Sequence, residues 1–582
     1  MPFDLQIQRT YLEKKLAAFE AVKDIKPIAA LHDDFSGVEF GVISSAQGIE
    51  QIIDDNQIIM ISGAQFGDEA KGKWGNAFSK KVHKAVRANS GTNTGRTICY
   101  NGEKLSFHLT PTALIEGIPS FIGAETVADP ISFEQEELEL LREKGISYDT
   151  LAIGNIFITT PYHRIIDVLG SALNASTGVG ISPTHKSIKA KTCPRLDDLC
   201  NDEGRLRRVL AKDYKNYVGF IAAEGLSFGN IIYQLSELQQ KNKRIVPDHV
   251  LAFAQAQNQL DFLVDLYTQR VAKNPNFPKR VDVGYEVQQA LKQGEKILIE
   301  VTQSHLLSNS RQQGYRYSTS ADVTALGALA SLGVSPLKYK TIVINVNKFP
   351  GSSRVGPGDI PGSFVAQNHF AESGVTSLKQ LGDACINFEA ICDVYFNSVQ
   401  KNGILEPVQY ADVTGTYEIG EAMAISNART FDEKGATTGK PRITGLFDCV
   451  LGKFVADEQG PYTVISCMDR GSLCDKVGLV VGYVVSLPSG LEKIDCNGEL
   501  YRTGKVIMPG DRVPTSDVLQ YCVPIIKVMD GWKNTTLSQL QPGEKLPLPV
   551  SQVLAAIEHY TGFKVLAIGT GPQTNQALYL KQ

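Results

Sequence analysis

Residues 58–97 read IIMISGAQFGDEAKGKWGNAFSKKVHKAVRANSGTNTGRT, and this stretch decides the fold. Its apolar run, Ile58 to Ser62, has the length and content of a buried strand. The run empties into a turn punctuated by Gly63 and Gly67, then into residues compatible with a helix, and ends in a second glycine-containing loop. A strand that passes through glycines into a helix brings backbone N–H groups and the positive end of a helix dipole to one point, an arrangement suited to a phosphate. The order Gly67-Asp68-Glu69-Ala70-Lys71-Gly72-Lys73-Trp74 nearly follows the Walker phosphate loop, but Trp74 stands where a Ser or Thr hydroxyl would meet Mg²⁺. A standard P-loop NTPase is therefore disfavoured. Asp68 and Glu69 would repel a triphosphate unless one of them binds Mg²⁺ or works as a base, so the loop points to chemistry as well as grip.

GAQFGDEAKGK (Gly63 to Lys73), NTGRT (Asn93 to Thr97) and HLTPTAL (His108 to Leu114) follow one another in the order and spacing of the adenylosuccinate synthetase family, whose segments read approximately GxQWGDEGKGK, NAGHT and HLIPSG. The chain resembles that family, which joins L-aspartate to IMP with hydrolysis of GTP. The resemblance implies Asp68 as the base at N1 of IMP and, with the carbonyl of Gly95, as a Mg²⁺ ligand. It places Lys71 among the catalytic groups and Gly67, Lys73, Asn93 and Thr97 among the nucleotide contacts. The family's catalytic histidine is Arg96 here. An arginine cannot hand over its proton but can stabilise charge developing at the phosphate bridge, which is the role the resemblance suggests for it.

The 582 residues, 43% hydrophobic and 21% charged, suit a globular protein of several core layers. A formal charge of -4 offers no overall attraction to nucleic acid or anionic membrane. No run approaches the roughly 18 apolar residues of a membrane span and the N-terminus lacks an apolar signal core, so a cytoplasmic protein is expected. The cysteines are scattered without a Cys-x-x-Cys and read as free thiols.

Residues 7–22 read as an amphipathic helix. Farther on, Ser120 to Pro130 has strand then turn character, Ile131 to Gly145 is a periodic helix, and Leu151 to Arg164 is again strand-like. Strands alternating with helices predict an α/β fold with a mostly parallel central sheet flanked by helices. To this the resemblance adds a P-loop-NTPase-like core with helical and loop insertions. His163 reads as a hydrogen-bonded structural histidine or a ligand contact. STGVGISP (Ser176 to Pro183) is a glycine-rich loop similar to the family's TTGRGIGP, which makes Thr177 the match for a 5′-phosphate contact, although the family's Arg is Val179 here. Lys191 aligns with a cation that family members extend into the neighbouring subunit, implying a homodimer. From Asp202 to Gln293 the pattern is mostly helical.

KILIEVTQSHLL (Lys296 to Leu307) is strand-like and places Gln303 on the family's nucleotide-contacting glutamine. Thr319 and Arg354-Val355-Gly356 match further family segments. GATTGKPRITGLFD (Gly435 to Asp448) resembles the loop that closes over aspartate; by itself a glycine-bounded Thr/Lys/Arg loop is an ordinary solvated turn. The match assigns Thr437 and Thr438 to the substrate, with Lys440 and Arg442 as the cations for a dicarboxylate. Asp469 matches the carboxylate that accepts from guanine, while Cys467 replaces a family lysine. Thr570 and Gly571 lie in the closing segment, KVLAIGTGPQT. The resemblance covers about residues 56–582, with insertions near 200–290, 350–430 and 480–515, and leaves 1–55 as an extension. It implies an IMP:aspartate ligase using GTP and Mg²⁺. Departures at Val179, Thr302 and Ser304 leave open another purine nucleotide such as (d)GMP, and a catalytically weakened nucleotide-binding paralogue is the remaining alternative.

Overall fold

The structure, a computed structural model, describes residues 5–581 apart from 101, 171–176, 359, 367–368, 383–386 and 436–438. At its centre lies a twelve-stranded sheet. In chain order its strands are β1 (Val42–Ile43), β2 (Ile58–Gly63), β3 (Lys84–Gly91), β4 (Ser120–Ala128), β5 (Leu151–Ile153), β6 (Phe157–Ile158), β7 (Lys279–Arg280), β8 (Ile297–Ser304), β9 (Thr341–Lys348), β10 (Tyr462–Ser466), β11 (Lys564–Gly569) and β12 (Ala577–Leu580). The spatial order is β1-β12-β11-β10-β9-β2-β8-β3-β4-β5-β7, with β6 also on β4. Every ladder from β11 to β7 is parallel; only β12 runs against β11, and β1 against β12.

The decisive stretch forms the middle of this sheet. β2 is buried at every position because helices cover both faces of a parallel sheet, which is why Ile58, Ile59, Met60 and Ile61 run without polar alternation. It pairs with β9 on one side and β8 on the other. The helix after the loop spans Lys71–Ser79, and Gly72 lets it approach the following hairpin: a Cβ there would lie 3.0 Å from the Thr97 carbonyl oxygen. The sequence reading passes from this helix straight to a loop, whereas the structure inserts β3. Its polar Arg87, Asn89 and Ser90 are nonetheless buried, and they break the apolar run that marks the other strands. The segment Leu151–Arg164 is not strand throughout, since Thr160 caps a helix spanning Pro161–Leu169.

Helices from Glu203 to Ala272 form one lobe whose core includes Leu206, Tyr217, Leu235 and Phe253. A second, five-stranded sheet (Gly351–Arg354, Ile443–Asp448, Lys476–Val485, Val506–Ile507, Cys522–Asp530) builds the other side of the molecule. The N-terminal residues are woven into this body. Tyr11 and Val22 of the helix Leu5–Val22 join the largest hydrophobic cluster, and β1 closes the sheet edge.

Candidate active site

Because the strands are parallel, the carboxyl ends of β2, β3, β8, β9, β10 and β11 share one edge of the sheet, where α/β folds bind ligands. The glycine loop leaves β2 at that edge. Glu69 sits fully buried beneath it, and its Oε1 accepts from the Gln65 and Gly67 N–H groups (3.2 and 2.8 Å) and the Ser304 hydroxyl (2.6 Å). Its Oε2 takes Lys71 Nζ at 2.8 Å, and Lys71 also donates to Ser304 Oγ at 3.1 Å. Burial alone would raise the Glu69 pKa, yet Lys71, Ser304 and the Gly67 N–H hold it below the usual range. Glu69 is therefore a tie that shapes the loop. Gly63 makes the tie possible, since a Cβ there would lie 2.3 Å from Ser304 Oγ and 2.9 Å from Lys71 Nζ.

Asp68 points the other way. Its φ of +59° turns the residue outward, and its side chain is 36% exposed. Its Oδ2 accepts from Arg442 Nε at 2.8 Å. This contact joins two motifs 374 residues apart, the phosphate loop and the loop matched to aspartate binding. Gly67 lies against a third motif, for a Cβ there would come within 2.3 Å of Val355. The Val355 N–H donates to the Phe66 carbonyl at 2.9 Å, and the Arg354 guanidinium lies 4.4 Å from the centre of the Phe66 ring. The roles of Gln65, Phe66 and Arg354 in fixing the loop went unread in the sequence; their place inside matched segments was the available signal.

Lys73 Nζ donates to the Gly571 and Gln576 carbonyls, both at 2.7 Å, so the phosphate loop meets the closing segment there. Burial lowers its pKa to about 8, partly offset by Cys467, Asp469 and Cys99. Trp74 is wholly buried and donates its indole N–H to Ser466 Oγ at 2.9 Å, so the Walker hydroxyl position is spent on the core.

Arg96, expected at the phosphate bridge, lies inside the protein. Its side chain is 1% exposed and turns in from the hairpin strand Arg96–Tyr100, with Nε 3.2 Å from Glu300 Oε2 and Nη2 donating to the Glu300 and Val301 carbonyls at 3.2 Å each. Placed so, it braces β8, while its Nη1 is buried without a hydrogen-bond partner among the described residues. His305 is also committed elsewhere, to the Glu458 carboxylate. His163 is buried between Asp213 (3.0 Å), Ser187 and Thr160, in keeping with a structural histidine.

The remaining positions fall as follows. Asn93 Oδ1, Gln303 Oε1 and Thr570 Oγ1 are buried without a hydrogen-bond partner among the described residues, so each remains open to a ligand. Thr97 and Asp469 are exposed. Thr177 precedes two positive-φ glycines, Gly178 and Gly180, at the entry to the helix Ile181–Lys189. Exposed Lys191 follows that helix with a φ of +57°. Thr319 is held by its N–H to the Leu307 carbonyl (2.8 Å), and the Lys440 carbonyl accepts from Gly435 N–H (2.9 Å). Gly95 is half-buried, and Thr437 and Thr438 lie outside the described residues. Mg²⁺ keeps several waters and takes one or two carboxylates plus phosphate oxygens, so a single solvent-reachable carboxylate at Asp68 fits it.

A mostly parallel sheet with a glycine loop, buried lysines and an outward carboxylate at its carboxyl edge defines an α/β nucleotide-binding enzyme. The adenylosuccinate synthetase family profile matches residues 60–266 and 221–578. Adenylosuccinate synthetase of Leishmania infantum is 42% identical over 98% of this chain and 82% of its own. That of Trypanosoma brucei brucei is 42% identical over 98% and 96%, and the enzyme numbered 2 in Trypanosoma cruzi is 40% identical over 97% and 94%. The chain belongs to the adenylosuccinate synthetase family. Its fold is also that of the fully ligated adenylosuccinate synthetase of Plasmodium falciparum, with a TM-score of 0.62 at 19% identity, covering 90% of this chain and all of that one. At 98% coverage the Leishmania alignment leaves out only about a dozen of the 582 residues, so these relatives share most of the N-terminal segment.

Proposed function

We propose that this GTP-dependent ligase joins L-aspartate to C6 of IMP through a 6-phosphoryl intermediate, giving adenylosuccinate. Family membership supports the reaction. The observation that supports the assignment of residues is the Asp68–Arg442 contact, between the residue read as the base and the one read as a cation for the amino acid. In the first step Asp68 takes the N1 proton of IMP, O6 attacks the γ-phosphorus of GTP, and the β–γ bridge oxygen leaves with GDP. In the second, the amine of aspartate attacks C6, phosphate departs, and the amine loses a proton. Arg442 pairs with an aspartate carboxylate once Asp68 lets it go. Asp68 is partly open to solvent at this pair, so a substrate can reach it.

Lys71, already fixed by Glu69, and Lys73 present charge to phosphate oxygens, while Asn93, Gln303 and Thr570 supply the open polar atoms. Mg²⁺, when bound by Asp68 and the Gly95 carbonyl, would neutralise the β- and γ-phosphates. Exposed Asp469 suits guanine, whose N1–H and amine both donate, and favours GTP over ATP. A cytoplasmic homodimer in which Lys191 reaches the neighbouring site completes the proposal.

The departures at Val179, Thr302 and Ser304 do not favour a different purine. Val179 packs with Val127 and Ile181, Thr302 Oγ1 donates to the Asn89 carbonyl at 2.5 Å, and Ser304 serves the Lys71–Glu69 tie. Phosphate release is to be measured with GTP or ATP, with IMP, GMP or dGMP, and with or without aspartate. Release that requires IMP, aspartate and GTP together supports the reading. Release without aspartate, or with dGMP in preference to IMP, overturns it.

A further inference from the structure

Glu433 stands at the foot of the glycine-bounded loop that carries Arg442. Its backbone carbonyl accepts the Arg442 N–H at 2.8 Å, an antiparallel bridge links Lys434 to Pro441, and Gly435 bonds to the Lys440 carbonyl, so the stem residues 433–435 and 440–442 are tied together. The Glu433 carboxylate is 5% exposed and belongs to no motif considered above. Its Oε1 accepts from Arg470 Nη1 at 2.6 Å and from Lys348 Nζ. Arg470 directly follows Asp469 in the turn Met468–Leu473, and its guanidinium lies 4.4 Å from the centre of the Phe431 ring, two residues before Glu433. Lys348 ends β9; its Nζ also reaches Ser353 Oγ at 3.2 Å, and its backbone exchanges hydrogen bonds with the Gln65 side chain (3.2 and 3.1 Å) in the phosphate loop.

One buried carboxylate thus collects the turn that presents Asp469, the loop that presents Arg442 and the strand end that holds the phosphate loop. Burial would raise its pKa, but Lys348 and Arg470 hold it down at about 2, so it stays ionised throughout the working range. Two cations on one buried anion leave little freedom: a displacement of Arg470 either breaks a charge-assisted bond in a low-dielectric setting or carries Glu433 along.

Building on the function proposed above, we propose that Glu433 and Arg470 are positioning residues that couple occupation of the guanine turn to the placement of Arg442, so that the guanine nucleotide and the amino-acid substrate tighten each other's binding. Coupling of this kind is reciprocal: the factor by which GTP strengthens binding of the dicarboxylate equals the factor by which the dicarboxylate strengthens binding of GTP. The warrant is a shared bonded element fixed to both sites, not mere proximity.

The test compares the full-length protein with Glu433→Gln and Arg470→Lys. The lysine retains charge but loses the guanidinium's fork and its place over the Phe431 ring. Arg470→Lys carries the test if Glu433→Gln fails to fold. The aspartate KM, IMP KM and kcat are measured at saturating GTP. Binding of a non-hydrolysable GTP analogue is measured with and without succinate, an unreactive dicarboxylate. The expected result is a rise in the aspartate KM of about tenfold with the IMP KM unchanged, and a mutual tightening in the unmutated protein that falls toward a factor of one in the variant. A loss of thermal stability with unchanged aspartate KM and unchanged tightening would mark a merely structural network and overturn the proposal, as would absence of tightening in the unmutated protein. If the unmutated protein forms no adenylosuccinate, the function reading falls. If it does and the variants keep their aspartate KM, only the coupling falls.

Discussion

Lys73 and Arg96 are both cations that a motif reading sends to the phosphates, and the structure separates their fates. Among the described residues Lys73 Nζ donates to two backbone carbonyls, and burial has brought its pKa to about 8. Since the charged form is the one disfavoured by burial, the ammonium is present below about pH 8 and is lost as pH rises through that value. A nucleotide phosphate restores the charge. We expect GTP affinity to fall above pH 8 and binding near pH 8 to take up a proton, read by calorimetry in two buffers of different ionisation enthalpy. Zero proton uptake at that pH would sink the assignment. Arg96 instead neutralises Glu300 inside the sheet. Arg96→Ala would leave Glu300 charged and unpaired, costing about 3–5 kcal/mol of stability, and Arg96→Gln with Glu300→Gln would recover much of it. Urea denaturation checks this. An Arg96→Ala protein of unchanged midpoint but greatly reduced kcat would return Arg96 to the catalytic set.

At the scale of elements, the strand–loop–helix at residues 58–79 could be read from the sequence because its causes are local: an unbroken apolar run, then glycines, then helix-compatible residues. The helices from 203 to 292 were visible for the same reason. β3 was not, because its buried Arg87 and Asn89 are placed by neighbouring strands and the polar edge they serve, which no window of sequence contains. The inward turn of Arg96 and the Glu433 network were hidden in the same way, depending on partners more than a hundred residues distant or on unrelated motifs. Asp448 is another such case. It caps the helix Cys449–Gln459 by accepting from the Val450 and Leu451 N–H groups at 3.0 Å each, while Tyr483 donates to its other oxygen at 2.5 Å. Burial still raises its pKa to about 6. A folded-state pKa above the ordinary value means that the stability it confers is fully present below about pH 4 and is lost as pH rises through 6. The displacement, about two pH units, corresponds to about 3 kcal/mol. Asp448→Asn keeps a capping oxygen and removes the titration. The variant is expected to melt above the unmutated protein at pH 7.5, the gap closing toward pH 4; a gap independent of pH would show that Asp448 does not titrate in this window.

At the scale of the whole molecule, the first 55 residues read from the sequence as an extension, and their contacts tie them into the body. β1 pairs Val42 with Leu580 and Ile43 with Tyr579, closing the sheet edge at β12. The helix Ser45–Ile53 buries Ile49, Ile52 and Ile53 on that edge, and Gly48 allows the approach, since a Cβ there would lie 2.4 Å from the Tyr579 side chain. Lys527 Nζ donates to the Ala30, Leu31 and Asp33 carbonyls, Tyr560 donates to the Ala30 carbonyl, and Asn402 donates to that of Lys23. Removing residues 1–55 would expose the partners of seven buried hydrophobic side chains (Tyr11, Val22, Ala30, Val42, Ile49, Ile52 and Ile53). At about 1.5–3 kcal/mol for each of the larger ones, and with the ordering entropy of the segment set against it, their loss is a substantial part of the roughly 5–15 kcal/mol by which a folded protein is stable at all. It would also bare β12 as an apolar edge strand, open to pairing with other chains. The chain 56–582 is therefore expected to aggregate or to lack a cooperative melting transition, even though it retains every motif of the active site. Lys527→Met, which releases the anchor for residues 30–33 without shortening the chain, should lower the melting temperature by several degrees and leave the KM values unchanged. A monodisperse 56–582 protein that melts within a few degrees of the full chain would show that these contacts decorate the fold and do not hold it.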